Sequence, residues 1–90
     1  MRLPFIGPLL DRRDDLRARS LRDQLGREGR IVSWHRDNPR PLTPWIARVS
    51  CQDLPETIEA RGRTRRHAIL AASDLLARRL RRRDRLETVD

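Results

Sequence analysis

The chain contains no lysine: all 21 of its basic residues are arginine. That bias has two readings. Arginine presents a planar fork that suits phosphate better than an ammonium does, and a GC-rich or overlapping reading frame also replaces lysine by arginine. Cysteine is nearly absent as well. Cys51 stands alone, which excludes a disulfide framework within the chain and points to a reducing compartment. Long apolar runs are missing. Residues 1–10 are apolar, but Pro4 and Pro8 interrupt them, the stretch is too short to span a bilayer, and no small-residue cleavage site follows. A soluble, cytoplasmic protein with no membrane partner is expected. The carboxylates, Asp14 and Asp15 among them, show no catalytic pairing and are expected to pair with arginines along solvated helix faces. His35, His67 and Cys51 lack metal-ligand spacing. The chain therefore reads as a non-enzyme with no cofactor and no metal.

What is present is positive charge and periodic apolar blocks. Ninety residues make one small domain with a modest core. Apolar residues are 37% and charged residues 38%, and the net charge is +8. A field of that sign draws in nucleic acid or another anionic surface.

Residues 8–25 read as a first helix. Pro8 or Asp11 can start it, with Asp14 placed as in a capping box. Leu10, Ala18, Leu21 and Leu25 share one face, with Leu16 beside them, and Gly26 and Gly29 stop the helix. Residues 30–35 are β-branched and aromatic enough for a strand. Residues 37–44 form a loop with three prolines. Residues 45–51 alternate with period two: Trp45, Ala47, Val49 and Cys51 against Ile46, Arg48 and Ser50. A turn over 52–56 and a shorter strand over 57–61 follow. Thr64 can cap a last helix whose stripe is Ala68, Ile69, Ala72, Leu75, Leu76 and Leu80. Trp34 and Trp45 are expected in the core. The predicted fold is α+β, in the order α-β-β-β-α. A three-stranded antiparallel sheet carries both helices on one face. Residues 1–10 are an N-terminal extension, 11–80 the domain and 81–90 a basic C-terminal tail.

The chemistry concentrates at Gly62-Arg63-Thr64-Arg65-Arg66-His67-Ala68, at the mouth of the last helix. The first N–H groups of a helix lack intrahelical partners and the dipole is positive there, so an arginine pair suits phosphate. Asn38-Pro39-Arg40-Pro41 precedes Trp45 in the loop between the first two strands. These stretches resemble a double-stranded-RNA-binding domain. That family places a glycine, a small polar residue and a lysine pair before its last helix, then alanines. It also has a Gly-Pro-x-His loop with an aromatic four residues after the histidine. Element order and lengths agree over about residues 11–80. Asn38 stands where the family has glycine, Pro41 where it has histidine, and Ile69 where it has a third helix lysine.

The resemblance implies non-catalytic recognition of double-stranded RNA by A-form shape and phosphate contacts. Arg65 and Arg66 are placed over the major-groove phosphates, where Arg63 can join them, and Thr64 is counted among the RNA-binding residues. Arg36 or Arg40 reaches one minor groove, and Arg17 or Gln24, with Asp23 as a further candidate, reaches the other. Such a module can shield duplex RNA from nucleases or sensors, as a silencing suppressor does.

Other readings stay open. Members of the family without RNA contacts dimerise or bind protein, so a homodimer or a protein partner is one alternative. Gln52-Asp53-Leu54-Pro55 with Gly62, Thr64 and Ala68 resembles HicB-type antitoxins. A three-stranded sheet plus helix also resembles the DNA-binding arm domain of tyrosine integrases. Gly26-Arg27-Glu28-Gly29 has the form of a KH-domain loop and is read as a helix stop. The run 78–85 is either a nucleic-acid arm or a solvated helix end.

Overall fold

Helix α1 (Ile6–Arg27) starts two residues before the expected position and takes in part of the N-terminal extension. Pro8 falls in its first turn, where the missing N–H has no intrahelical partner to lose. Gly26 lies inside the helix, and Gly29 makes the exit with φ +81°. The Gly29 N–H donates to the Gly26 carbonyl at 3.1 Å. That left-handed backbone is where glycine carries no side-chain penalty. Strands β1 (Arg30–Arg36), β2 (Trp45–Cys51) and β3 (Leu54–Gly62) follow, and helix α2 (Arg65–Thr88) closes the chain. The computed structural model describes residues 6–37, 39 and 42–88.

The architecture is the predicted α-β-β-β-α. The sheet runs β1-β2-β3, antiparallel throughout. The third strand is longer than expected. A two-residue turn, Gln52-Asp53, pairs Cys51 directly with Leu54, so the turn is tight and Pro55 is already in the strand. An edge strand tolerates that proline because half its N–H groups face outward anyway. The last helix is longer too. The expected basic tail continues α2 to Thr88, since arginine, leucine and alanine are good helix formers and nothing breaks the run.

Period two sorts the sheet into two faces. Val32, Val49 and Ile58 form one inward row by register, Trp34, Ala47 and Ala60 the next, and Arg36, Trp45 and Gly62 the last. Both helices cover that face. α1 lies on β1 and α2, while α2 lies on β2 and β3. The core is Ala18, Leu25, Val32, Ala47, Val49, Leu54, Ile58, Ala68, Ile69, Ala72 and Leu76. The alanines of α2 let the helix sit close to the strands. Trp34 and Trp45 are half-buried and pack against this cluster. The opposite face carries polar pairs such as Arg48 Nε to Glu59 Oε2 at 2.8 Å, although Ile46 is buried there. Among the described residues no helix is long and apolar enough to cross a membrane.

Two sequence expectations fail on α1. Leu10 and Leu16 are exposed, at 57% and 59%. The inward stripe of the helix is instead Asp14, Ala18, Leu21 and Leu25, polar at one end and apolar at the other, with Asp11 exposed at its rim beside Arg65. The Asp14 carboxylate takes the place expected for leucine because α2 offers it a cation.

Gly62 is fixed by close approach rather than by its φ. A Cβ there would stand 2.4 Å from the Ala68 nitrogen and 2.9 Å from its Cα. Both obstacles are backbone, so the helix itself must move. Gly62→Ala is expected to cost about 1–3 kcal/mol, the usual range for an overpacked core. Chemical denaturation checks this, and an unchanged midpoint would contradict the packing of α2 on β3.

Candidate nucleic-acid interface

The mouth of α2 is already occupied by the protein's own carboxylates. Thr64 is the cap: its Oγ1 accepts from the His67 N–H at 3.1 Å. The Arg65 N–H donates to Asp14 Oδ2 at 2.9 Å, and the Arg66 N–H to Asp14 Oδ1 at 3.3 Å. The next N–H, of Ala68, makes the first helical bond, to the Thr64 carbonyl at 3.0 Å. The N–H groups of Arg65, Arg66 and His67 are thus satisfied from within. Asp14, from α1, sits where an anion at a helix N-terminus would sit.

Arg65 completes the knot. Its Nη1 donates to Asp11 Oδ1 at 2.8 Å, to the Asp11 carbonyl at 3.1 Å and to Asp14 Oδ2 at 3.2 Å. Its Nε lies 3.5 Å from Asp15 Oδ1. The guanidinium stacks 3.9 Å above the Trp45 ring centroid, a cation–π contact sheltered from water. Burial works against the Arg65 charge, but the hydrogen bonds and charges of Asp11, Asp14 and Asp15 outweigh it and raise its pKa further. The Arg65 hydrogen bond holds the Asp11 carboxyl below its ordinary value, against an opposing effect of burial, and the charges of Arg65 and Arg36 add to it. Arg65 is therefore a structural residue, and the expectation that it grips phosphate is corrected. Its fork is committed to carboxylates more than 50 positions earlier in the chain.

Ile69, expected in the apolar stripe of the last helix, is inside. It is fully buried and among the largest buried side chains. Of the positions matching the family's basic triplet (65, 66 and 69), only Arg66 faces solvent.

Arg66 turns toward α1. A shallow groove of about 430 Å³ between the helices is lined by Arg17, Ser20, Leu21, Gln24 and Arg66. A second one, about 250 Å³, continues past the helix mouth between Leu10, Arg13, Asp14, Arg17, Thr64, Arg66 and His67. Three of the expected contact residues, Arg17, Gln24 and Arg66, thus meet along one seam, and Thr64 borders it. Two more line it that the sequence reading did not count as contacts, Arg13 and His67. The signal for Arg13 was available. Leu10, Arg13, Arg17 and Gln24 recur at helical spacing on one side of α1.

The remaining candidates lie apart from the seam. Arg36 is exposed at the end of β1, its guanidinium 5.8 Å from the Trp45 centroid on the flank of the Arg65 knot. Arg63 is exposed in the link between β3 and α2. Arg40 lies outside the described residues, as do Asn38 and Pro41. The base of that loop is tied: the Asp37 N–H donates to the Pro44 carbonyl at 2.6 Å, and Arg61 Nη2 to Asp37 Oδ2 at 2.5 Å. Comparison with protein-family models, with curated proteins and with solved structures finds no match to this chain.

Proposed function

We propose that the chain binds double-stranded RNA without catalysis, through the α1–α2 seam. The observation that carries this reading is the convergence of Arg17, Gln24 and Arg66 on one open groove where both helices meet, with Arg13 lining the adjoining depression. Gln24 supplies a donor and an acceptor suited to a 2′-hydroxyl, and the arginines supply phosphate forks. The groove at Arg17, Gln24 and Arg66 is open and mostly polar, which fits a duplex backbone better than a small substrate, held as a rule in a concave and mostly apolar pocket. The resemblance to the double-stranded-RNA-binding family agrees with the element order and with the placing of Arg66. Recognition by backbone and shape makes binding independent of sequence.

The test is a gel-shift series with duplex RNA, duplex DNA and single strands. Arg17→Glu with Arg66→Glu is expected to weaken duplex-RNA binding at least about tenfold. It is also expected to flatten the slope of log affinity against log salt by about two, roughly one per lost phosphate contact. Both side chains are exposed, so the circular-dichroism spectrum should not change. Unaltered RNA affinity in the double variant overturns the reading, and a preference for duplex DNA points to the integrase-like alternative.

A specific observation supports a second reading, protein contact. The Arg65 and Ile69 positions are withdrawn from solvent, and Leu9, Leu10 and Leu16 are exposed on α1. A chain that binds no nucleic acid yet sediments as a dimer would establish it.

A further inference from the structure

Beyond the last core contacts, α2 carries a surface that the seam does not use. Residues 77–88 hold six arginines against Asp84 and Glu87. Four of the arginines, Arg78, Arg81, Arg82 and Arg85, border one shallow depression of about 410 Å³. Their spacing is i, i+3, i+4 and i+7, a single face of a helix. Arg79 is turned elsewhere: its Nη1 lies 2.7 Å from Glu56 Oε2 on β3. Within the strip, Arg78 is held by Asp74 at 3.1 Å. Among the described residues Arg81 and Arg82 have no ion-pair partner.

Such an array disfavours the isolated helix. Arg78 and Arg82, and Arg81 and Arg85, are like charges at i,i+4, a spacing at which they repel, although Asp74 offsets Arg78 and Arg85 has an interaction of its own. An anionic partner with closely spaced charges removes that repulsion. The strip places four guanidinium groups within about 10 Å of helix length. Each strand of a nucleic-acid duplex presents about one negative charge per 3.4 Å of axis, so one stretch of backbone sets about three phosphates along the strip.

We infer that this arginine strip is a second nucleic-acid site, which grips phosphate backbone independently of the α1–α2 seam. Arg78 lies twelve residues beyond Arg66, about 18 Å along the helix axis, so the two sites do not share phosphates. A membrane surface is the weaker candidate. Helices that lie in a bilayer interface set an apolar face with Trp, Phe or Leu against the lipid. The described side chains of 77–85 include Leu80 as the one large apolar group, and it packs against the core cluster. The strip is assigned on its own charge and geometry, and does not rest on the reading of the seam.

The test uses the full chain and a random-sequence duplex RNA of about 32 base pairs, twice the length that one double-stranded-RNA-binding domain spans. Replacing Arg78, Arg81, Arg82 and Arg85 by Gln keeps helix propensity close to that of arginine and removes the charge. This variant is expected to bind at least about tenfold more weakly and to flatten the salt slope by about two or more. Arg81→Gln with Arg82→Gln disturbs no ion pair among the described residues. It should flatten the slope by about one to two and keep the parent melting temperature. If the strip variants lose affinity while the Arg17→Glu/Arg66→Glu chain binds as the parent does, the strip stands and the seam reading fails. If only the seam variant loses affinity, or if neither does, the strip assignment is overturned. Loss of binding to vesicles of anionic phospholipid, with RNA binding intact, overturns it in favour of a lipid surface.

Discussion

Ile69→Lys is expected to leave the chain without a cooperative melting transition at 25 °C. The motif makes this substitution tempting, because the related family carries a lysine at the matching position and the change would seem to restore a phosphate contact. The packing forbids it. Ile69 is fully buried in the layer between α2 and the sheet, among Ala68, Ala72, Leu76 and Val49. An ammonium there would be withdrawn from solvent into an apolar cluster. Removing such an ion from water costs several kcal/mol even after relaxation, and deprotonation relieves the cost only by depressing the lysine pKa. Cavity loss from the deleted isoleucine adds to it. A small domain has about 5–15 kcal/mol in all, and a 90-residue chain that stays this polar sits toward the lower end. Ile69→Val is the control. It removes one methyl and should cost about 0.5–1.5 kcal/mol, with the fold and RNA binding kept. Thermal melts followed by circular dichroism separate the two. A folded Ile69→Lys chain that bound duplex RNA more tightly would show that the position is a contact after all.

Ile69 also shows where reading the sequence stops. Its membership of the apolar stripe was legible, because Ala68, Ile69, Ala72 and Leu76 recur at helical spacing. Its depth in the core was not, since depth depends on how α2 is rotated on the sheet. The strands were legible for the same reason as the stripe. Period two in β2 sets Trp45, Ala47 and Val49 inward, and the register confirms it. What escaped was the polar part of the α1–α2 contact. Asp14 lies on the inward face of α1 and Asp11 on its exposed rim, both turned to Arg65, a fact that no local pattern announces. Their partner is 51 to 54 residues away. Without that partner, carboxylates on a helix read as solvent-facing and Leu10 reads as core. The clash that fixes Gly62 was hidden likewise, because it lies between the sheet edge and a backbone atom of the next element.

Arg65→Ala is expected to destabilise the fold and to leave the seam chemistry in place. The guanidinium is nearly buried, and so is Asp14, whereas Asp11 is 58% exposed at its side chain. Breaking a buried pair costs about 3–5 kcal/mol. The exposure of Asp11 discounts its share through solvent screening, so roughly 3 kcal/mol is expected. Truncation also removes the stacking on Trp45 and leaves three carboxylates at close quarters. Arg65→Lys should fall between parent and alanine: the charge remains, but an ammonium cannot reach two aspartates and lie flat on an indole. The loss depends on acidity in a definite direction. The folded-state pKa of Asp11 is below its ordinary value, so its contribution is present above about pH 4 and disappears as pH falls through the lowered folded value. Arg65→Ala has lost that contribution already. The gap in melting temperature between parent and variant should therefore narrow as the pH is taken from about 6 to about 2. RNA affinity supplies the opposing outcome. If Arg65→Ala melts like the parent and loses as much duplex-RNA binding as Arg66→Ala does, then Arg65 touches phosphate and the carboxylate knot is not what holds the helix mouth. If it melts earlier and, while folded, binds RNA as the parent does, the first arginine of the pair belongs to the fold and only the second to the groove.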